Sequence, residues 1–422
     1  MNYLTKFYFF SLTYFIFLSY LYLTVMADAY AIHGFLKKVM PLRIIESIFS
    51  ISVLAWIIGT SRFSVSSFYS TILLCVIFMP IVTMYAFAGG SRAAYYYAFI
   101  GCFIVIFGSS YILERVSAKK IIFLKGGFHM AIILATFFVF LFILQNLFSG
   151  SFSGVNFDLL DVYEFREDQE VLLYSGIWAY ATNWVIKVFS ILLMILSLYY
   201  KKYFIFLTIF FLQILFFGLT AHKSVALYGA VAVFTYFFTT KKYANLTILK
   251  MGLIALIIIF ISTFLITSGN LIASFGLRRS LFVPAYLHYV YYEFFSTYGN
   301  IFWSNGFASV FFDYPYENPA SNMIGNYMGN VGMSANSGFL SSGLMHAGLF
   351  GIILYSILLM IVLVYLDLVR KHLPLNVTIA ISIGPMISVL TSSDLIVSML
   401  THGVAVLLLV LYLLNSPRRK VN

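Results

Sequence analysis

The segment from Arg278 to Asn300 reads RRSLFVPAYLHYVYYEFFSTYGN, and it belongs to the longest interval that is not plainly apolar, about residues 268–342. Almost all of the chain before and after this interval consists of apolar runs. Binding and catalytic residues are often carried by loops that a rigid scaffold positions. We therefore expect the functional residues to concentrate in the 268–342 interval, held up by a membrane-embedded scaffold.

The composition identifies the whole chain as a membrane protein. Of its 422 residues, 62% are hydrophobic and 9% are charged, whereas soluble domains carry about 25% charged residues. The net charge of +11 does not indicate nucleic-acid binding, because the basic residues collect in short loops between apolar runs, as the positive-inside rule describes. Cys75 and Cys102 both fall within apolar runs, so neither a disulfide framework nor a metal site is indicated. One integral membrane domain over residues 1–422 is predicted.

Apolar runs of spanning length, about 20 residues, predict an all-α polytopic membrane protein with about twelve transmembrane helices. The first run lacks a small-residue cleavage site after it, which favours a retained signal anchor. The predicted spans are 5–25, 43–60, 68–88, 93–112, 127–148, 176–199, 203–219, 224–240, 247–267, 345–367, 374–392 and 395–415.

Lysine and arginine in the short loops predict that both termini are cytoplasmic. The loop 26–42, with Lys37 and Lys38, is the one violation of this pattern. In this orientation two long loops face outward, into the periplasm if the membrane is a bacterial inner membrane. The first, 149–175, holds six of the chain's 14 acidic residues, and the second is the large loop 268–342, which we expect to contain short helices.

Arg278 and Arg279 precede a predicted helix start. Ser280 suits an N-cap, and Pro284 suits a first helical turn. Two guanidinium groups beside a helix N-terminus would bind a phosphate or diphosphate through bidentate hydrogen bonds and the helix dipole. The alternative is an interfacial arginine pair that binds lipid headgroups or a nearby carboxylate.

The predicted helix that follows carries His288 and Tyr292 on one stripe. Aromatic rings stack on sugars, but they also form belts at membrane interfaces. Glu293 in this helix and Asp313 in the turn-rich segment after it are candidate acid–base groups. The side-chain amide of Asn336 suits hydrogen bonding to a sugar, although asparagine is equally common in any polar loop.

Three further positions are candidates. Lys187 lies inside an apolar run, where an ionisable residue usually has a function, with snorkelling to the interface as the alternative. Lys223 lies in a tight outward turn between two spans. Both lysines could add positive charge around a diphosphate. His346 begins the helix after the long loop and is a candidate base. Gly343 and Gly351 near it predict close helix packing on a small-residue face.

In the pattern of its second half the chain resembles the bacterial O-antigen polymerase family, the Wzy-type polymerases of oligosaccharide repeat units. The resemblance rests on the outward turn His222-Lys223-Ser224 and on Arg278-Arg279 followed by Val-Pro-Ala-Tyr. It rests also on the loop exit from Asn336 to Gly351. It implies a multi-pass inner-membrane glycosyltransferase of lipopolysaccharide biosynthesis.

The resemblance also implies substrates and roles. Undecaprenyl-diphosphate-linked glycans would serve as donor and acceptor, and an acceptor hydroxyl would attack the anomeric carbon while undecaprenyl diphosphate leaves. Arg278, Arg279 and Lys223 would stabilise the leaving diphosphate, so no metal ion or other cofactor is expected. Which residue acts as the base stays open among His346, Glu293 and Asp313. Membrane lipid and a chain-length regulator are expected partners, and nucleic acid is not.

Three alternatives remain open. One is a non-enzymatic structural or regulatory membrane protein, which would explain the long polar loop less well. An O-antigen ligase shares the architecture but transfers finished glycan to lipid A–core. A lipid-linked oligosaccharide flippase or another transporter would have about as many spans, with related halves and polar residues at mid-membrane. No internal repeat is visible in this chain, which favours the polymerase over the transporter.

Overall fold

The computed structural model of the protein describes residues 2–116, 121–155, 157, 176–220, 223–240, 243–266, 270–370 and 372–416. All regular elements within these ranges are helices, so the predicted all-α class is confirmed. The six carboxylates predicted to line the 149–175 loop lie outside the described residues.

Fifteen helices, numbered here in chain order, account for the regular structure of the described residues. A few short 3₁₀ turns lie between them. The helices are α1 (Tyr3–Ala29), α2 (Pro41–Thr60), α3 (Val65–Phe87), α4 (Arg92–Arg115), α5 (Gly127–Phe148), α6 (Trp178–Tyr199), α7 (Tyr203–Thr220), α8 (Lys223–Phe238), α9 (Ala244–Leu265), α10 (Ala273–Phe282, continued by Val283–Tyr298), α11 (Ala320–Tyr327), α12 (Phe339–Val369), α13 (Leu375–Thr391), α14 (Leu395–Leu400) and α15 (Val404–Leu414).

Nine helices among the described residues are long and apolar enough to cross a membrane: α1 to α7, α9 and α12. This confirms the polytopic membrane character. Three shorter apolar helices fall on other predicted spans, namely Leu227–Phe238 within α8, α13 and α15, and the count of twelve stays a prediction. The continuous span predicted over 395–415 is wrong, because the helix is interrupted between α14 and α15.

The chain forms two compact units. Unit 1 comprises Met1–Val116, Lys242–Val364 and Val389–Leu395, and unit 2 comprises Ser117–Lys241, Tyr365–Ser388 and Ile396–Asn422. Most of the predicted site residues lie in unit 1.

In unit 1, α10 is longer than the short helices predicted for the large loop. Its cap is Asn270, whose Oδ1 accepts a hydrogen bond from the backbone N–H of Ala273 at 3.0 Å. The first ten residues are wound as a π-helix, and Ser280 Oγ donates to the carbonyl of Phe275 at 2.6 Å. The prediction of an N-cap at Ser280 is therefore wrong. The helix N-terminus lies about two turns before Arg278.

The long helix α12 is broken at Ala347 and Gly348, whose backbone angles are non-helical. Gly348 has a φ of 58°, which favours glycine. At the break the two halves of α12 lie against each other at Gly343 and Gly351. A Cβ on Gly343 would approach the carbonyl oxygen of Gly351 to 2.8 Å. A Cβ on Gly351 would overlap the carbonyl oxygen of Gly343. The small-residue face is thus used for packing within α12 itself.

In unit 2, the interruption before α15 is built by local contacts. Gly403 caps α15 with a φ of 78°, a left-handed conformation that glycine adopts readily. The indole N–H of Trp184 in α6 donates to the carbonyl of Leu400 at 2.5 Å. This bond satisfies a carbonyl that loses its helical partner where α14 ends. His402 lies within the interruption.

Candidate functional site

A chain of hydrogen bonds joins four side chains in unit 1. Trp303 Nε1 donates to Tyr355 Oη at 3.0 Å, and Tyr355 Oη donates to Asp394 Oδ2 at 2.9 Å. His346 Nε2 lies 2.9 Å from the same carboxylate oxygen. The imidazole of His346 stacks on the indole of Trp303, with ring centroids 5.0 Å apart. We call these four residues the carboxylate cluster.

The hydrogen bonds of His346 determine which ring nitrogen carries the proton. The backbone N–H of Trp303 donates to His346 Nδ1 at 3.2 Å. A ring nitrogen that accepts a hydrogen bond carries no proton, so the proton is assigned to Nε2, which donates to Asp394. Because its acceptor nitrogen is already engaged, His346 suits orienting the carboxylate better than acting as the base itself. Asp394 is the better-placed base.

The cluster is buried, but its carboxylate keeps some access to the surface. The side chain of His346 is 3% exposed and that of Asp394 is 13% exposed. A largely buried carboxylate is costly unless donors satisfy it. Tyr355 and His346 supply two such donors, and hydrogen bonds to a charged acceptor are stronger than neutral ones. The arrangement holds a negative charge in a fixed orientation beside a partly open edge.

The break in α12 explains why the cluster forms here. Carbonyls of the first half of α12 lose their helical N–H partners at the break. The segment 300–303 replaces them: Asn300 Nδ2 donates to Leu344 O at 2.8 Å, and the N–H groups at 301 and 302 donate to the carbonyls at 345 and 346 at 3.1 and 2.9 Å. These bonds position Trp303 next to His346.

The same segment has an unusual backbone. Phe302 and Trp303 have φ angles of 47° and 59°, and two successive non-glycine residues in this region are rare and cost free energy. The hydrogen bonds to α12 hold them there. The conformation aims the backbone N–H of Trp303 at His346 and the indole N–H at Tyr355. The strained backbone of Phe302 and Trp303 therefore lies at the carboxylate cluster.

Residues of α10 and of the loop before α12 border the cluster. Tyr291 Oη donates to the carbonyl of Ala335 at 2.9 Å. Burial, and next the negative charge of Asp394, raise the pKa of Tyr291, so the two side chains are close enough to interact. The predicted sugar-binding residue Asn336 follows Ala335 and is exposed. The role of its amide in binding a sugar stays a prediction.

The two arginines lie on the π-helical part of α10. The half-buried guanidinium of Arg278 lies over the ring of Tyr30, with its Cζ 4.9 Å from the ring centroid. The Nε of Arg278 is buried and has no hydrogen-bond partner among the described residues. Arg279 is exposed, with its guanidinium over Phe275. Their role as anion-binding groups stays a prediction.

The other two predicted acid–base residues lie on the surface. Glu293 is exposed and its Oε1 accepts a hydrogen bond from Tyr327 at 3.0 Å. Asp313 is also exposed. Tyr292, the predicted stacking residue, packs edge-on against Tyr97 of α4. Within the described ranges, neither of the two carboxylates hydrogen-bonds to the carboxylate cluster.

His288 occupies a different environment from the one predicted. It is buried, and its Nε2 donates to the carbonyl of Ala94 at 2.9 Å. Burial lowers the pKa of His288 to about 4, so the imidazole is neutral at physiological pH. Direct contact with a large glycan does not fit this position, and a structural role does.

Lys187 is the centre of a second polar group, in unit 2. Its Nζ donates to Ser388 Oγ at 3.2 Å and lies 2.7 Å from His402 Nδ1. The ring of Tyr228 lies 5.7 Å from the same nitrogen. Because Lys187 is buried, the snorkelling alternative does not fit. Lys223, the other candidate lysine, begins α8, and its side chain lies outside the described residues.

Sequence reasoning missed Asp394, Tyr355 and His402. One signal for Asp394 was present, since it lies in the short turn between the predicted spans 374–392 and 395–415. In the predicted orientation this turn faces the same side as the large loop. No spacing rule links Asp394 to His346, 48 residues earlier. Tyr355 and His402 lie within predicted spans, where nothing distinguishes them from neighbouring polar residues.

No protein-family model matches the chain, and the search of curated proteins and the search of solved structures each found no match.

Proposed function

We propose that the protein is a membrane-embedded glycosyltransferase that polymerises undecaprenyl-diphosphate-linked oligosaccharide repeat units into O-antigen or a related surface polysaccharide. The observation that carries the proposal is the carboxylate cluster, in which Asp394 is held by two donors and remains partly exposed. Attack by a sugar hydroxyl needs a base of this kind. The resemblance in the second half of the chain supplies the substrate class, and the bacterial inner membrane would be its location.

In the proposed reaction Asp394 accepts the proton of the acceptor hydroxyl. The hydroxyl oxygen forms a bond to the anomeric carbon of the donor glycan, and the bond from that carbon to the diphosphate oxygen breaks. Undecaprenyl diphosphate leaves with the bonding electron pair. His346 and Tyr355 keep the carboxylate in one orientation, which is how positioned groups contribute to such a step.

The two arginines fit one part of the substrate better than another. Arg279 and Tyr291 are twelve residues apart on α10, which corresponds to about 18 Å at the helical rise. The leaving diphosphate is attached directly to the reacting carbon and so lies close to the base. The diphosphate of the acceptor is separated from the attacking hydroxyl by the sugars of a repeat unit. Arg278 and Arg279 therefore suit the acceptor's diphosphate better than the leaving diphosphate for which the resemblance implies them, and bidentate arginine bonds would recognise it.

One observation favours a second candidate, a lipid-linked oligosaccharide flippase or another transporter. Interrupted helices and buried ionisable residues at membrane depth are typical of transport sites. Lys187 and His402 meet at the interruption before α15. No internal repeat is visible in the sequence, whereas many transporters are built from two related halves, so we place the polymerase first.

A gel of surface glycans from a null strain tests the proposal. The null strain should carry lipid A–core with only one repeat unit, and wild-type protein should restore the ladder. Asp394→Asn keeps the side-chain size but loses the base, and we expect the ladder to fall by at least about 100-fold, the usual contribution of a general base. Glu317→Gln, a matched change of an exposed carboxylate, should restore it fully.

Other outcomes would identify the alternatives. Polymer that accumulates on undecaprenyl diphosphate in the null strain would identify a ligase. Repeat units retained on the cytoplasmic side would identify a flippase. An unchanged ladder would overturn the polymerase proposal, as would full activity of Asp394→Asn at normal expression.

A further inference from the structure

The segment 302–312, which follows α10, exposes an unusual number of large apolar side chains. Val310 and Phe311 are 84% and 81% exposed, far more than a water-facing loop normally shows for such residues. The segment includes a short 3₁₀ turn, Phe307–Val310. The other exposed apolar residues of the segment are Phe302, Phe307 and Phe312.

The sequence of this region lacks charge. Between Glu293 and Asp313 there are 19 residues without one Asp, Glu, Lys or Arg, although this is the middle of the interval predicted to face water. Asn305 and Ser309 are exposed and uncharged. A segment without charge can enter a bilayer without the large cost of an ionised side chain, and its exposed apolar side chains gain free energy by leaving water.

The position of the segment identifies its neighbour. Its start is bonded to the first half of α12, and the indole of Trp303 reaches Tyr355 in the second half. That second half belongs to a helix long and apolar enough to cross a membrane. Phe350, just after the break in α12, is 65% exposed, so α12 offers an apolar side chain to lipid near the break. The 302–312 segment is attached at the same break, through the bonds to the carbonyls at 345 and 346.

We infer that residues 302–312 insert into the edge of the bilayer, where Phe307, Val310 and Phe311 contact lipid hydrocarbon chains. A protein interface surrounds its apolar core with a polar rim, and this segment has few polar and no charged side chains. In the sequence analysis residues 268–342 are one outward-facing loop, and this inference places part of that loop in the bilayer edge. It also places Trp303, and with it the opening beside Asp394, at the level of the membrane surface.

Site-directed spin labelling of the full chain in liposomes tests this inference. Cysteine is placed at Val310 and at Phe311, while the native Cys75 and Cys102 are buried and stay in place. Collisions of the label with oxygen report lipid, and collisions with a water-soluble nickel chelate report water. The references are Ile361, exposed on α12, and Glu317, exposed five residues beyond the segment.

Labels at 310 and 311 should give a high ratio of oxygen to nickel collisions, like the label at 361. A ratio like that at 317 would overturn the inference. Val310→Trp in lipids brominated along their chains gives a second readout: its fluorescence should be quenched more than that of Glu317→Trp, and equal quenching would also overturn it. Neither measurement uses enzymatic activity, so the result stands apart from the proposed function.

Discussion

At the scale of single residues, the main result is a division of roles between His346 and Asp394. The imidazole is occupied on both nitrogens, by the backbone N–H of Trp303 and by the carboxylate. The sequence predicts His346 near the outer surface at the start of a helix, whereas α12 begins seven residues earlier, at Phe339. The pairing with Asp394 depends on a helix break and on a chain reversal, and neither can be read from residue spacing.

His288 is a second residue whose environment cannot be predicted from residue spacing. The aromatic stripe of α10 predicted its helical face, but not that this face packs against α4. Its hydrogen bond to Ala94 fixes it as a neutral donor in the interior. A histidine in a polar, tyrosine-rich stretch has the same local sequence whether it is buried or exposed.

We predict that His288 makes the folded state sensitive to mild acid. Folding lowers its pKa from 6.5 to about 4, so this contribution to stability is complete above about pH 6.5 and is lost as the pH falls towards 4. The loss is about 3 kcal/mol over that interval. His288→Gln retains an N–H donor for Ala94 but cannot be protonated. Its thermal unfolding midpoint in detergent should fall less than that of the wild type between pH 7.5 and pH 5.

The control for this prediction is His33→Gln, which changes an exposed histidine. It should keep the pH dependence of the wild type. If His288→Gln and the wild type lose equal stability on acidification, the assigned role of His288 is wrong.

At the scale of elements, the carboxylate cluster and Lys187 each lie beside a helix interruption. Hydropathy predicted most of the helices well, because long apolar runs have few alternatives in a membrane. It could not predict the breaks at Ala347–Gly348 or at 401–403, since glycine is common inside membrane helices. Gly343 and Gly351 were recognised as a packing face, but their partner is the other half of the same helix.

We predict that Gly351→Ala damages the break in α12. The new methyl group would overlap the backbone carbonyl of Gly343, which cannot move aside as a side chain can. Overpacking of this kind costs about 1–3 kcal/mol or more. The unfolding midpoint in detergent should fall, and the glycan ladder should weaken because His346 and Trp303 would separate.

Gly276→Ala is the matched control, since a methyl group there meets only the end of the Ile259 side chain at 2.9 Å. It should behave nearly as the wild type. A Gly351→Ala protein with unchanged stability and ladder would show that the two halves of α12 are not held together at this point.

At the scale of the whole molecule, the orientation in the membrane remains a prediction from loop charge. The basic loops predict cytoplasmic termini, and in that orientation the turn that carries Asp394 faces the opposite side. Lys37 and Lys38 are the exception. The segment that carries them packs on α10, where Phe35 and Tyr286 have ring centroids 5.4 Å apart. Packing on α10 can therefore determine the position of this segment. A prediction from loop charge does not consider such packing.

We predict that Glu317→Cys reacts with a membrane-impermeant maleimide in intact cells whose outer membrane has been permeabilised. The residue is exposed and follows the segment beside the carboxylate cluster. A cysteine added after Asn422 should react only after the inner membrane is lysed, since both termini are expected in the cytoplasm. The wild type, whose two cysteines are buried, provides the background. If Glu317→Cys reacts only after lysis and the cysteine after Asn422 reacts without it, the predicted topology is wrong.

The attachment of residues 300–303 to α12 has a consequence for how such a site changes over evolutionary time. Two of its bonds join main-chain N–H groups to main-chain carbonyls, and a third uses the main-chain N–H of Trp303. Bonds of this kind do not depend on side-chain identity at positions 301, 302, 344 and 345. These hydrogen bonds can therefore persist through side-chain changes that keep the backbone path. Related proteins can therefore preserve this geometry while retaining little recognisable sequence in common, and shared backbone geometry will identify them better than shared residues.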